Sequence, residues 1–138
     1  GRMFADEAEV LAGSGKCLTG VCMMGLTLDE VAEVARLHTA ASVTVLRDLT
    51  PAQFAEHVRQ SNDPARRYAV NFTRKVIFGA GGGHHSPLGG YLEPEGLVFV
   101  LDVNRDFGPW LIERERLYAA MDTLDDTSQR KRGLLLVE

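Results

Sequence analysis

Apolar positions recur at the helical period in three stretches of the chain. Thr27 and Glu30 stand three residues apart in front of the first stretch and form a capping box, which predicts a helix over 28–38. Thr50 precedes a proline that suits the first position of a second helix, over 51–61. The predicted helices are 28–38, 51–61 and 113–121.

Apolar runs bounded by turn residues predict the strands. The run Leu97-Val98-Phe99-Val100-Leu101 is apolar on both faces, which is typical of a buried central strand. Glu93-Pro94-Glu95-Gly96 separates two apolar runs and predicts the turn of a hairpin. The predicted strands are 42–46, 67–72, 88–91, 97–103 and 134–137. Helices come first and strands dominate later, which favours an α+β fold, and a single domain over 1–138.

Composition narrows the function classes. The chain has 138 residues, of which 45% are hydrophobic and 25% charged, as expected for a globular domain. A net charge of −4 gives no reason to expect nucleic acid or an anionic membrane as partner. No apolar run approaches the ~18 residues of a membrane span. The two cysteines are too few for a disulfide scaffold, so we expect a reduced, cytoplasmic setting.

One histidine and one carboxylate stand out as candidate chemistry. His84 follows a run of glycines, and Asp102 lies 18 residues later, across the predicted hairpin turn. Folding the chain at that turn brings the two side chains together. A carboxylate that accepts from one imidazole nitrogen leaves the other free as a base. The alternative is a structural or surface role for His84. A catalytic site with this histidine and carboxylate would also need a nucleophile, which the pattern does not contain.

Three blocks of the sequence resemble the catalytic domain of the phytochelatin synthase family, a branch of the papain-like cysteine peptidases. They are Gly82-Gly83-His84 followed by Ser86-Pro87-Leu88, then Leu101-Asp102-Val103 with Arg105, and Ala120-Met121-Asp122 through Arg132-Gly133. The resemblance implies a papain-like fold, of which this chain would form the part with the antiparallel sheet that bears the histidine and the aspartate, together with flanking helices.

The resemblance also implies a reaction. His84 would be the general base and acid, Asp102 its orienting carboxylate, and glutathione the substrate and partner. A thiolate would form an acyl-enzyme and release glycine. Water would then give γ-glutamylcysteine, or a second glutathione would give phytochelatin. Because the stretch after Arg105 is two residues shorter than in relatives, we expect hydrolysis to dominate. The family requires no organic cofactor, but a thiophilic metal, cadmium or zinc, free or as a glutathione complex, would act as activator or substrate component.

The chain departs from the family pattern at its start. The catalytic cysteine of the family belongs to a segment upstream of this sequence, so we expect an N-terminally truncated, inactive chain. Self-association would then cover the apolar face of 97–103 left open by that segment. Cys17 and Cys22 have three interpretations: small buried side chains, a metal-binding pair, or a substitute nucleophile. Their spacing is not the usual one of structural zinc sites.

Three further residues are candidates for substrate binding through the resemblance. Asp125 and Arg132 match acidic and basic positions that the family uses near the γ-glutamyl group, a zwitterion that suits one carboxylate and one guanidinium. A solvated, charged turn is the alternative. Arg105 also matches the family, with a surface role as its alternative.

Two other classes of protein stay open on the sequence alone. A non-enzymatic remnant would bind γ-glutamyl thiols or a thiophilic metal without turning over glutathione. An unrelated thiol peptidase of similar fold would cleave peptides instead.

Overall fold

A six-stranded antiparallel sheet forms the centre of the structure. The structure is a computed structural model that describes residues 25–138. The strands lie in the order β1-β8-β2-β3-β4-β5, and a separate hairpin pairs β6 with β7. The strands are β1 Val43–Arg47, β2 Arg67–Thr73, β3 Gly83–Leu92, β4 Leu97–Val100, β5 Trp110–Glu113, β6 Leu124–Asp125, β7 Arg130–Lys131 and β8 Gly133–Val137.

Within residues 25–138, four helices flank the sheet, and two of them begin as the sequence predicts. Thr27 and Thr50 each accept a hydrogen bond from the backbone three residues on, in complete capping boxes. The third predicted helix is also present, although it begins one residue later, at Arg114. The helices are α1 Leu28–His38, α2 Pro51–Gln60, α3 Arg74–Phe78 and α4 Arg114–Met121. None of these described helices is long and apolar enough to cross a bilayer.

The sheet buries its two faces against different helices. On one face, α2 and α4 supply Phe54, Val58, Leu117, Ala120 and Met121 to a core with the strands. On the other face, α1 packs Leu28 and Ala32 against Leu135 of β8. Successive side chains of a strand point to opposite faces, so β3 contributes to both environments. The prediction of an α+β fold is confirmed as a mixed α/β arrangement around an antiparallel sheet.

Strand β4 differs from its prediction. Val98 and Val100 are fully buried, but Leu101 and Val103 are 38% and 62% exposed, and the strand ends at Val100. The expectation of a strand buried on both faces is therefore wrong, because α1 covers only the β1–β8–β2 side of the second face. Self-association through this open side stays a prediction.

Strand β3 is longer than predicted and includes the candidate histidine. Pairing with β2 runs from Gly83 through Pro87, whereas pairing with β4 begins at Leu88. The glycines and the proline of β3 lower its strand propensity, so the sequence does not predict its full length. Both residue types nevertheless occur in strands that are irregular or paired on one side. As a result, His84 is held by a ladder on the β2 side and not by a loop.

Candidate active site

The His84 side chain lies on the α2 and α4 face of the sheet, near the start of β3. Its ring packs edge-on against Phe72, the residue opposite in β2, with 6.0 Å between ring centroids. The hairpin brings Asp102 to it, and Nε2 of His84 lies 3.5 Å from Oδ1 of Asp102. This separation allows an ion pair, but Nε2 makes no hydrogen bond to any described residue. The sequence therefore predicted the juxtaposition correctly.

The carboxylate of Asp102 is completely enclosed and receives four hydrogen bonds. Arg74 donates from Nη2 to Oδ1 and from Nη1 to Oδ2, both at 2.8 Å. The indole Nε1 of Trp110 donates to Oδ2 at 2.8 Å, and the backbone N–H of Asn104 donates to Oδ1 at 2.9 Å. Burial raises the pKa of Asp102, but these donors outweigh it and hold that pKa at about 2.

Sequence reasoning missed Arg74. Helix α3, which Arg74 begins, has five residues, too few for an apolar period to show. The arginine lies ten positions before His84 at the end of β2, and that position by itself does not reveal its contact with Asp102. The indole N–H of Trp110 donates to the same carboxylate, a contact that the sequence pattern does not indicate.

The surroundings of His84 lower the pKa of its imidazole, which favours the neutral form at pH 7. Burial lowers the pKa of its imidazole below the ordinary value of 6.5, and the positive charge of Arg74 lowers it further, while Asp102 opposes both. The neighbouring His85 also lowers the pKa of His84. A neutral imidazole has one nitrogen without a proton, so the side chain is able to act as a base in this state.

Acid should weaken the folded state through Asp102. Because the pKa of this carboxyl is about 2 in the folded protein, against an ordinary 3.8, its stabilisation is complete above pH 4 and disappears as the pH falls through 2. The shift corresponds to about 2 kcal/mol. Urea unfolding from pH 5 down to pH 2 should show a smaller acid loss in Asp102→Asn than in the wild type. Equal losses in the two proteins would contradict this.

A cavity of about 310 Å³ opens beside the start of β3. It contains one cationic and two anionic side chains, and the glycines Gly82 and Gly83 form part of its wall. A Cβ atom at Gly83 would lie 2.9 Å from Nη2 of Arg132, so a side chain there would displace the end of that arginine. The lining residues are Gly25, Leu26, Asn71, Gly82, Gly83, His85, Asp125, Asp126, Thr127 and Arg132.

Asp125 and Arg132 face each other in this cavity. Nη2 of Arg132 lies 4.0 Å from Oδ1 of Asp125, and both side chains are less than 15% exposed. Arg132 also donates to the Thr123 hydroxyl and the Leu124 carbonyl, which fixes its guanidinium. The alternative of a solvated charged turn describes Arg130, which is 62% exposed, but not these two residues.

His85 lines the cavity from the face of β3 opposite to His84. Its Nε2 lies 2.8 Å from the carbonyl oxygen of Leu26, and burial lowers its pKa, so Nε2 carries the proton and donates it. The sequence analysis did not identify His85 as part of a cavity wall. Strand alternation was the available signal, since Asn71, which pairs with His85, lines the same cavity.

The remaining candidates do not join either cluster. Arg105 is exposed and is not part of the wall of the cavity that holds Asp125 and Arg132. It makes no hydrogen bond or ion pair to a described residue, Asp102 included. Cys17 and Cys22 lie outside the described residues. Within 25–138, no group of three histidine, cysteine or acidic side chains converges in a way that suits a metal ion.

Taken together, the described part is an α+β domain with a histidine–carboxylate pair on one face of β3 and a charged cavity lined from the other face. The sequence profile of the family described as Phytochelatin synthase matches residues 2–134. The chain belongs to the phytochelatin synthase family.

Curated relatives agree with this family. A protein of Schizosaccharomyces pombe named glutathione gamma-glutamylcysteinyltransferase is 30% identical over 117 residues, which are 83% of this chain and 28% of that protein. Glutathione gamma-glutamylcysteinyltransferase 3 of Lotus japonicus is 30% identical over 124 residues, 87% of this chain and 26% of that protein. Glutathione gamma-glutamylcysteinyltransferase 2 of Arabidopsis thaliana is 36% identical over 67 residues, 48% and 15% respectively. The chain thus spans less than a third of the length of these relatives.

Proposed function

We propose that this chain is the histidine- and aspartate-bearing domain of a papain-like enzyme that transfers or hydrolyses the γ-glutamylcysteinyl group of glutathione. The observation that carries the proposal is the His84–Asp102 pair, in which Nε2 and Oδ1 lie 3.5 Å apart. The cavity that holds Asp125 and Arg132 is lined by His85 on the other face of β3 and by Gly82 and Gly83, which directly precede His84. The relatives' names supply the substrate.

The proposed reaction proceeds through a thioester. A cysteine thiol gives its proton to Nδ1 of His84, the nitrogen turned away from Asp102, and the thiolate attacks the carbonyl of the cysteinyl–glycine bond. His84 then returns the proton to the glycine nitrogen as the bond breaks, and free glycine leaves. In the second half of the reaction, water or the amine of a second glutathione gives a proton to His84 and attacks the thioester. The carbon–sulfur bond breaks, the cysteine leaves as a thiolate that regains the proton from His84, and the product is γ-glutamylcysteine with water or the longer peptide with glutathione. We expect water to dominate.

Asp125 and Arg132 are proposed to bind the γ-glutamyl end. The α-amine of that group would pair with the Asp125 carboxylate, and its α-carboxylate with the Arg132 guanidinium. A separation of 4.0 Å with both side chains largely enclosed supports a site that attracts a zwitterion. Arg105 is also proposed to contact the substrate, from an exposed position at the surface. Cadmium or zinc would enter as a complex with the thiol of glutathione, that is, as substrate.

Glycine release from glutathione, measured by mass spectrometry, tests the function. Residues 1–138 should be compared with the same protein extended upstream in its reading frame. Activity in the extended protein alone would place the nucleophile upstream, and activity in both would point to Cys17 or Cys22, which alanine variants would separate. Binding of glutathione without glycine release in either protein would favour the non-enzymatic alternative, and release of amino acids from peptides instead would favour a peptidase.

Arg132→Met should raise the KM for glutathione about 10- to 100-fold with a smaller effect on kcat. The variant removes a charge-assisted hydrogen bond to a part of the substrate that does not react, worth about 1.5–3 kcal/mol. Steady-state glycine release measures both constants. Arg130→Gln is the matched control, since Arg130 is on the same hairpin but pairs with Asp29 at the surface. An unchanged KM in folded Arg132→Met would contradict the assignment.

A further inference from the structure

Arg74 is a buried arginine that the proposed reaction leaves without a role. It is 7% exposed, although arginine is rarely enclosed unless it is paired. Its guanidinium lies 3.9 Å from the centre of the Phe107 ring and also approaches the rings of Phe72 and Phe78. Aromatic faces therefore surround the cation and limit its contact with water, which strengthens its interaction with the one carboxylate that it meets.

That carboxylate is Asp102, and Arg74 holds it in a fork. Two parallel hydrogen bonds of 2.8 Å join the guanidinium to both oxygens, an arrangement that fixes the plane of the carboxylate as well as its distance. Trp110 and Asn104 complete the shell. His84 lies outside this shell of donors, and its Nε2 is 3.5 Å from Oδ1 of Asp102.

We propose that Arg74 is a positioning residue, which fixes the Asp102 carboxylate beside His84 and offsets its negative charge. The role in turnover rests on the function proposed above, whereas the electrostatic role does not. A fixed carboxylate of partly offset charge leaves His84 in its neutral form until a thiol delivers a proton. It then stabilises the imidazolium without having to reorient.

Few charges of the described residues face His84, so the effect of Arg74 can be isolated. Arg74 reaches it from α3, Asp102 from the end of β4, and His85 from the next position of β3. The rings packed against this site, Phe72 and Trp110, carry no charge. Among these groups Arg74 and Asp102 act in opposite directions on the pKa of His84.

The titration of His84, followed by NMR of the imidazole C–H signals and assigned with His84→Ala, is the decisive experiment. Arg74→Met should raise the pKa of His84, because it removes the cation and frees Asp102. Arg74→Lys should raise it less, because it keeps the charge but not the fork. An unchanged His84 titration in Arg74→Met, or equal shifts in the two variants, would overturn the proposal. Arg116→Gln is the control, since Arg116 also contacts α3, through the Ile77 carbonyl, but is exposed.

A second pair of variants decides the matter if Arg74→Met does not fold. Asp102→Asn should lower the pKa of His84 below that of the wild type, because Arg74 then faces the imidazole without its counter-ion. The double variant Arg74→Met/Asp102→Asn replaces both charges by neutral side chains and should raise the pKa again. Identical titrations in the single and double variants would show that Arg74 has no influence on His84.

Turnover of glutathione provides a second test, separate from the titration. If the proposed function is correct, Arg74→Lys should lower kcat for glycine release about 10- to 100-fold, the range seen when the group that orients a histidine is removed, and leave KM nearly unchanged. Arg116→Gln should retain full activity. Absence of glycine release in the wild-type protein extended upstream would refute the function but not the electrostatic role, which the titration tests alone. A wild-type kcat in Arg74→Lys would refute the positioning role.

Discussion

Replacing His84 by alanine should lower glycine release from glutathione by about 10⁴-fold or more in the form of the protein that carries the nucleophile. In the proposed reaction the imidazole takes the thiol proton in the first step and returns it to the glycine nitrogen in the second, so its loss removes both transfers. Nothing else in the described part is placed to replace it: His85 is on the opposite face of β3 and donates to the Leu26 carbonyl. Mass spectrometry of glycine under single-turnover and steady-state conditions measures the loss.

The fold should survive this change, which makes the result interpretable. The His84 side chain is 25% exposed and makes no hydrogen bond to a described residue. His38→Ala serves as the control, because it removes a histidine at the end of α1. Substantial glycine release by folded His84→Ala would mean that another group acts as the base, and the catalytic assignment of His84 would be wrong.

Asp102→Ala should lower the free energy of unfolding by about 3–5 kcal/mol, the largest stability effect that we expect at this site. The change leaves the guanidinium of Arg74 buried without its counter-ion, and the cost of an uncompensated buried charge exceeds the value of the pair itself. It also removes the acceptor of the Trp110 indole N–H. Urea unfolding at pH 7 measures the loss.

Two further variants separate the charge effect from the loss of volume. Asp102→Asn keeps the shape and one acceptor oxygen and should lose less than Asp102→Ala. In Asp102→Leu/Arg74→Met both charges are replaced by apolar side chains of similar size, so the double variant should recover much of the stability. If the double variant is as unstable as the sum of its single variants, the two side chains are not coupled and their hydrogen-bonded fork is not a stabilising pair in solution.

The local pattern of the sequence was sufficient for most elements of the fold. The two capping boxes at Thr27 and Thr50 and the turn at 93–96 are signals that depend on neighbouring residues, and each is present in the structure. Short or irregular elements were missed because they carry no period: helix α3, strand β5 and the β6–β7 hairpin. Strand β3 was predicted too short, because Pro87 and the glycines lower its strand propensity although pairing with β2 overrides it.

The residues of the candidate site also fall into those that the sequence predicted and those that it did not. His84 and Asp102 could be paired from the sequence because one hairpin connects them, so their separation along the chain predicts their proximity in space. The residues around them could not. Arg74 reaches Asp102 over 28 positions, and His85 reaches Leu26 over 59, and no local pattern encodes a contact at such a separation.

By itself, then, the sequence determined the family, the helix starts, the hairpin and the two residues that the hairpin joins. Only the tertiary structure decided the pKa values of His84 and Asp102. The pKa of a side chain depends on burial and on the charges packed around it, and these come from distant parts of the chain. The fork from Arg74 holds the pKa of Asp102 at about 2, and burial together with the charge of Arg74 lowers the pKa of His84.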